Sequence, residues 1–237
     1  MCGRYTLSVP LSNLVDTFDI EPPDFEYPPR FNIAPTQDAP VIAQDRAGRR
    51  IGVLRWGLIP PWAKDVALGS RLINARAETV SQKPAFRRAF RSRRCLVPAD
   101  GFFEWKRVEE DGVGKGIKVP YWIHRADRTP FLMAGLWERW EPGEGSPVFS
   151  FTILTTEAAP AIREIHARMP VILPGEAHEA WLNADTPPEG LLPLLRPSSE
   201  DLQAHPVSTL VNSPRNDLPE CIDPINLPRR SGSGPSS

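Results

Sequence analysis

Residue 2 of this chain is a cysteine, in MCGRYT. Once the Met1–Cys2 bond is cut, Cys2 carries an α-amine and a thiol on neighbouring carbons, a pair that no internal cysteine has. An α-amine titrates near ~7.7–8.0 and a thiol near ~8.5, so useful fractions of both nucleophiles exist at neutral pH. The amine condenses with an aldehyde to a Schiff base. The thiol can then add to the imine and close a thiazolidine ring. Closure is intramolecular and gains a large effective concentration, and the product resists hydrolysis far better than an open imine. The same residue could instead attack a carbonyl through its thiolate, with its own amine as base. An incidental terminal cysteine is the bland alternative.

Either reaction needs proton carriers. Glu104 lies in DGFFEW among Phe102, Phe103 and Trp105. In a partly apolar site its pKa would rise, which suits a general acid or base; facing outward it would be an ordinary strand residue. His166, in IHARMP, is the best-placed histidine for acid–base work near neutrality, or else a helix-terminal residue held by the helix dipole. Asn74 and Arg76, in INARAE, follow an apolar pair and read equally as a capped turn. Arg4 is close enough in sequence to bring an anion beside Cys2. Trp56, Trp62 and Trp105 could stack bases, although core packing is the commoner fate of tryptophan.

The totals limit the chemistry. At 237 residues, 41% hydrophobic and 24% charged, the chain fits one substantial globular domain. Cys2, Cys95 and Cys221 are an odd, widely spaced set without a CxxC pair, which argues against a disulfide scaffold or a zinc site. The four histidines lack HxxxH and HExxH spacing, so no metal or other cofactor is expected. No apolar run approaches a membrane span and no leader pattern is seen, so a soluble, cytoplasmic, monomeric protein is expected. The net charge of −1 requires any nucleic-acid function to rest on a local basic surface. RRAFRSRR packs five arginines (Arg87, Arg88, Arg91, Arg93, Arg94) into eight residues, either a phosphate-binding patch or a solvated helix face.

These residues must be positioned by short elements, because 28 prolines are scattered along the chain. Helical spacing marks 11–20, SQKPAFRRAFRSRR, EAAPAIREIHARMP up to about His166, and HEAWLNA. Strand patterns mark PVIAQD, IGVLRWGLIP, CLVP, FFEW, VPYWIHR, FLMAGLWERW and FSFTILTT. PDFEYPPRFNIAPTQDAP and EEDGVGKG read as loops, and RRSGSGPSS (229–237) as a disordered tail. The expected fold is a single α+β domain over 1–228, built mainly on antiparallel, barrel-like β-sheet with a few short helices.

The ordered set MCGRYT, FNIAPTQ, RWGLIPPWA, INARAET, RRCLVPADGFFEWK, LTT, IHARMPVIL and VNSPRND runs from residue 2 to 217. It closely resembles the SRAP family, the SOS-response-associated peptidase domains, over nearly the whole chain. That resemblance implies covalent capture of abasic sites in single-stranded DNA, whose open-chain aldehyde is the electrophile. It implies catalytic roles for Cys2, Asn74, Glu104 and His166. It also implies DNA contacts at Arg4, Pro35, Trp62, Arg76, Trp105, Thr155 and Arg168. Cysteine (auto)peptidase activity, a non-covalent reader of damaged or modified DNA, and weak lyase activity are the rival expectations. Selectivity would come from the aldehyde, so flanking bases should alter capture only modestly.

Overall fold

The structure, a computed structural model, describes residues 2–45, 48–110, 113–197 and 201–227; the expected tail 229–237 lies outside them. In chain order, the first part comprises β1 (Tyr5–Leu7), α1 (Leu11–Phe18), β2 (Arg30–Ile33), β3 (Asp38–Asp45), β4 (Gly48–Trp56) and β5 (Asn74–Arg76). The middle comprises α2 (Arg87–Ser92), β6 (Arg94–Ala99), β7 (Gly101–Glu110), β8 (Val113–Arg125), β9 (Phe131–Trp140) and β10 (Val148–Glu157). The last part comprises α3 (Pro160–Arg163), β11 (Arg168–Pro170), β12 (Ile172–Leu173), α4 (Gly175–Leu182), α5 (Pro188–Leu191) and β13 (Leu202–Pro206).

One sheet, in the order β13-β8-β7-β1-β2, is antiparallel throughout. The other runs β11-β10-β4-β3-β6-β9-β12, and β9 pairs back onto β10. The circuit β10-β4-β3-β6-β9 therefore closes on itself, which is the expected barrel. Closure leaves these strands without free edges. It requires β4 and β10 to run parallel, and β5 adds to β10 in parallel as well.

Burial follows from this closure. β6 is buried at every residue and β10 from Ser150 to Thr156, because one face lines the barrel and the other is covered. Trp56 fills the interior, edge-on to Tyr5 at 5.2 Å and stacked with Phe151 at 6.3 Å. Outside, Phe90 of α2 packs on Trp181 of α4, whose indole N–H donates to the Cys95 carbonyl at 2.8 Å. A third cluster joins Phe103 and Trp122 to Val207, Val211 and Cys221.

Several elements differ from the sequence expectation. α3 spans only Pro160–Arg163, because Ala158 N–H donates to the Ala167 carbonyl at 3.0 Å and closes the connection to β11. Within the expected loop 109–116 the described residues continue β7 and β8, paired as far as Glu110 opposite Val113, and 111–112 lie outside the described residues. INAR is a strand rather than a capped turn, and the expected loop 23–40 contains β2, paired with β1, and the first residues of β3.

A glycine contact fixes the segment that leads to Asn74. Gly57 has φ +120°, and a Cβ there would stand 2.6 Å from the Gly69 carbonyl oxygen. From this stretch Leu58 N–H donates to the Leu72 carbonyl at 3.2 Å, and the Trp56 indole donates to the Ile73 carbonyl at 2.9 Å. Gly57→Ala should therefore destabilise the protein by about 1–3 kcal/mol or more. In thermal unfolding it should melt well below Gly52→Ala, whose Cβ would meet only Leu54 Cδ1 at 3.5 Å.

Candidate active site

β1 places the N-terminal segment against β7. Tyr5 pairs with Phe102, and Phe103 N–H donates to the Arg4 carbonyl at 2.9 Å. Cys2 is thereby fully buried, its Sγ 3.7 Å from the Arg4 carbonyl oxygen. From the other sheet, Asn74 Nδ2 donates to the Cys2 carbonyl at 2.7 Å. That bond fixes the amide's orientation and leaves Asn74 Oδ1 buried with no hydrogen-bond donor among the described residues.

Glu104 is 3% exposed, and its Oε1 lies 3.7 Å from His166 Nδ1, whose side chain is 31% exposed. Burial raises the Glu104 carboxyl above its ordinary range, and the neighbouring His166 offsets part of that rise. Burial also pushes the Cys2 thiol far up, and the Glu104 charge adds to the effect. His166 Nδ1 stands 3.0 Å from both the Arg168 N–H and the Arg168 carbonyl. It accepts from the first when unprotonated at Nδ1 and donates to the second when protonated there. The ring can thus change protonation without losing its anchor. The outcome is a protonated thiol beside a carboxyl made more basic by burial, with a partly exposed imidazole adjoining both solvent and carboxyl.

β5 and β11 flank β10 at the same place. Asn74 is opposite Ile153, Arg76 opposite Thr155, and Thr155 opposite Pro170. Asn74 and Arg76, two residues apart on a strand, project to one side. Arg168 donates from both Nη atoms to Glu78, at 2.6 and 3.0 Å, and from Nη2 to the Thr155 carbonyl at 2.6 Å. That pairing holds the Glu78 carboxyl below its usual range. Arg76 is exposed, and Trp62 is 60% exposed on a turn that follows Pro60 and Pro61.

Arg4 and Trp105 meet on the other side. Arg4 Nη1 donates to Asn32 Oδ1 at 3.0 Å and to the Val211 carbonyl, and Nη2 donates to the Asn212 carbonyl at 3.3 Å. The Trp105 indole donates to Asn212 Oδ1 at 2.8 Å. Pro35 is half-buried just after β2, where Thr36 N–H donates to the Trp56 carbonyl at 2.8 Å. Of the arginine run, Arg87, Arg88 and Arg91 are exposed. Arg93 pairs with buried Glu138, and buried Arg94 donates to the carbonyls of Phe90 and Trp181 at 2.8 and 2.6 Å. Sequence reasoning missed Asn32 and Asp217. Asn32 Nδ2 reaches three carbonyls of the 211–216 loop, and Asp217 Oδ1 accepts from the Phe31 and Asn32 N–H groups. Both lie inside distinctive motifs, FNIAPTQ and VNSPRND. Among the described residues no three His, Cys, Asp or Glu side chains are grouped to hold a metal, and no helix is long and apolar enough to cross a membrane.

Residues 1–214 match the family described as SOS response associated peptidase (SRAP). The chain belongs to the SRAP family. It is 46% identical to the abasic site processing protein YoaM of Bacillus subtilis, over 95% of this chain and 99% of that protein. It is 33% identical to the abasic site processing protein HMCES of Xenopus tropicalis, over 87% of this chain and 69% of that one. A crystal structure from Bacteroides thetaiotaomicron superposes with a TM-score of 0.82 at 27% identity, covering 95% of this chain and 100% of that one. The expected family and its mixed, strand-rich single-domain fold are thus borne out.

The raised Glu104 carboxyl makes a test within this SRAP site. Its folded-state pKa exceeds the unfolded value, so the folded chain binds that proton more tightly. Stability is then lost as pH rises from the ordinary glutamate range, ~4.3, through the folded pKa. Glu104→Gln should match the parent in Tm near pH 4 and exceed it at pH 8, by roughly 2–4 °C for each kcal/mol that the buried charge costs the parent. A variant that melts lower at pH 8 would contradict the burial argument.

Proposed function

We propose that this chain captures abasic sites in single-stranded DNA covalently, through a thiazolidine formed by Cys2 after Met1 is removed. It would act as a single chain in the cytoplasm, at the nucleoid when bound to DNA. The observation that carries this reading is the convergence of Asn74, Glu104 and His166 on buried Cys2. The abasic-site-processing names of the relatives support it.

Hydrolysis of the Met1–Cys2 amide first frees the amine. His166 protonates the ring oxygen as the closed sugar opens, and the anomeric hydroxyl returns its proton to the imidazole to leave the aldehyde. The amine adds to the carbonyl carbon, giving a carbinolamine. Glu104, acting as the acid, helps the hydroxyl depart as water, leaving an imine. The thiol then adds to the imine carbon, and Glu104 passes the thiol proton to the nitrogen. The capture steps release one water, and no electrons are gained or lost. A thiol pushed up by burial favours amine-first chemistry over thiolate attack on a peptide. Asn74 orients the Cys2 carbonyl through Nδ2, and its open Oδ1 suits a sugar hydroxyl.

Arg76 would hold a flanking phosphate, with Trp62, Trp105, Pro35 and Thr155 shaping the surface around the strand. Arg4 would act chiefly by fixing the Cys2 segment, given its contacts to the 211–212 carbonyls. Arg168 would reach a phosphate only where Glu78 yields it.

The test is a denaturing gel. Protein whose N-terminus is verified by mass spectrometry is mixed with single strands carrying one abasic site or none. A heat-resistant shifted band should need both the abasic site and Cys2. It should form at least about tenfold more slowly in Glu104→Ala and His166→Ala. No band from a chain with exposed Cys2 would overturn the reading in favour of peptide cleavage or non-covalent binding.

Non-covalent affinity for an intact strand gives a second check. It should fall with salt, and Arg76→Ala should flatten the log–log slope by about 0.7. An unchanged slope would remove Arg76 from the phosphate path.

A further inference from the structure

Asn32 is fully buried on β2, and the mechanism above gives it no part. We propose that it is a positioning residue for capture, which sets the freed amine of Cys2 through the guanidinium of Arg4. This role rests on the DNA-capture reading and adds a residue to its machinery.

Three connections carry it. The first is the orientation of the Asn32 amide. Nδ2 donates to the carbonyls of Val211, Ser213 and Asn216 at 3.2, 3.0 and 2.7 Å, and Oδ1 accepts from Arg4 Nη1 at 3.0 Å. Turned over, the amide would set its oxygen against three carbonyl oxygens and its N–H groups against a guanidinium, so its neighbours admit one orientation. Its main chain is fixed as well, because the Phe31 and Asn32 N–H groups donate to Asp217 Oδ1 at 2.6 and 2.9 Å.

The second is what Arg4 grips. Its other acceptors are the Val211 and Asn212 carbonyls, in the loop that Asn32 ties down. Asn32 thus holds the guanidinium and the loop together. Asn212 Oδ1 also accepts from the Trp105 indole at 2.8 Å, which refers the same loop to the strand that carries Glu104.

The third is the reach from Arg4 to the amine. Removal of Met1 leaves Cys2 with no residue before it, and Gly3 has no side chain to pack. Arg4 is then the first residue after Cys2 whose side chain can anchor the segment. The ladder between β1 and β7 ends at the Arg4 carbonyl, which accepts from the Phe103 N–H at 2.9 Å. Beyond it, Asn74 holds the Cys2 carbonyl from the barrel side. That bond alone leaves the terminal amine free to turn, and the Arg4 side chain supplies a second point. A shift of about 1 Å in a reacting atom can cost on the order of a hundredfold in rate.

The experiment follows single-turnover capture with strand in excess, over a range of concentrations of a single strand carrying one abasic site. It gives the maximal rate and the half-saturating concentration separately. The proteins are the parent chain, Asn32→Ala, Arg4→Met and the double variant, each with Cys2 verified as the first residue and a melting temperature above that of the assay. Each single change should lower the maximal rate at least about tenfold. The half-saturating concentration should stay within about twofold of the parent's. The double variant should be no more than about twofold slower than the slower single variant, whereas independent roles would multiply to about a hundredfold. Arg4→Met leaves Asn32 its loop carbonyls, so it tests the same path even where Asn32→Ala does not fold. A parental maximal rate in Arg4→Met overturns the proposal, and so do multiplied losses in the double variant. A lowered melting temperature with a parental maximal rate makes Asn32 a purely structural residue and overturns it. A raised half-saturating concentration at unchanged maximal rate makes Arg4 a strand contact and overturns it too. Absence of product from the parent chain overturns the capture reading itself.

Discussion

The site depends on β10 changing partners along both edges. Its first half is tied to β9 on one side, through Ile153, and to β4 on the other, at Ser150 and Phe151. Those pairings close the barrel. From Ile153 to Glu157 the same edges pass to β5 and β11. The strand thereby leaves the closed ring carrying Asn74 and Arg76 on one flank and Arg168 on the other, with Thr155 between them. Backbone ladders on both sides hold these positions more rigidly than loops alone would. His166 inherits the same rigidity, because its ring is held by the backbone of Arg168 at the start of β11.

The smaller sheet brings the other half of the chemistry. β1 docks on β7, so Cys2 and Glu104 arrive on adjoining strands and are buried together. Burial and the Glu104 charge together push the Cys2 thiol up, while burial is what raises the Glu104 carboxyl. The thiol stays protonated and the carboxyl stays basic enough to receive its proton. Among the described residues, Asn74 makes the only direct hydrogen bond between the barrel's β5 and the Cys2 segment, so it registers the two sheets at Cys2.

The strong strands were readable in sequence because their apolar runs are long and turn signals bound them. FLMAGLWERW and FSFTILTT became β9 and β10, and PVIAQD and IGVLRWGLIP became β3 and β4. The short edge strands were not. INAR carries one apolar residue between two polar ones, and only its pairing with β10 makes it a strand. VGKG reads as a loop by composition, yet the β7 ladder extends into it, with a bulge between Val108 and Glu110. The residues expected at the site stand in distinctive motifs. Asn32 and Asp217 were not separable within those motifs, since their work is to satisfy main-chain groups of partners distant in sequence.

Arginine usage shows the same limit from the electrostatic side. The chain carries 23 arginines against five lysines, and residue type alone does not reveal which face a strand of DNA. Arg94 is buried under carbonyls, Arg93 neutralises Glu138, Arg4 ties down the 211–212 loop, and Arg168 clamps Glu78. A guanidinium suits these tasks because its planar fork satisfies several acceptors at once. Among the exposed cations that are left are Arg76 and Lys83, which line a cleft beside Asn74, and Arg87, Arg88 and Arg91 on the exposed face of α2. A net charge of −1 is compatible with a polyanionic partner only through such a local basic surface. Under the proposed function, the local field of these cations would attract the strand within about 10 Å, the distance over which salt leaves it unscreened.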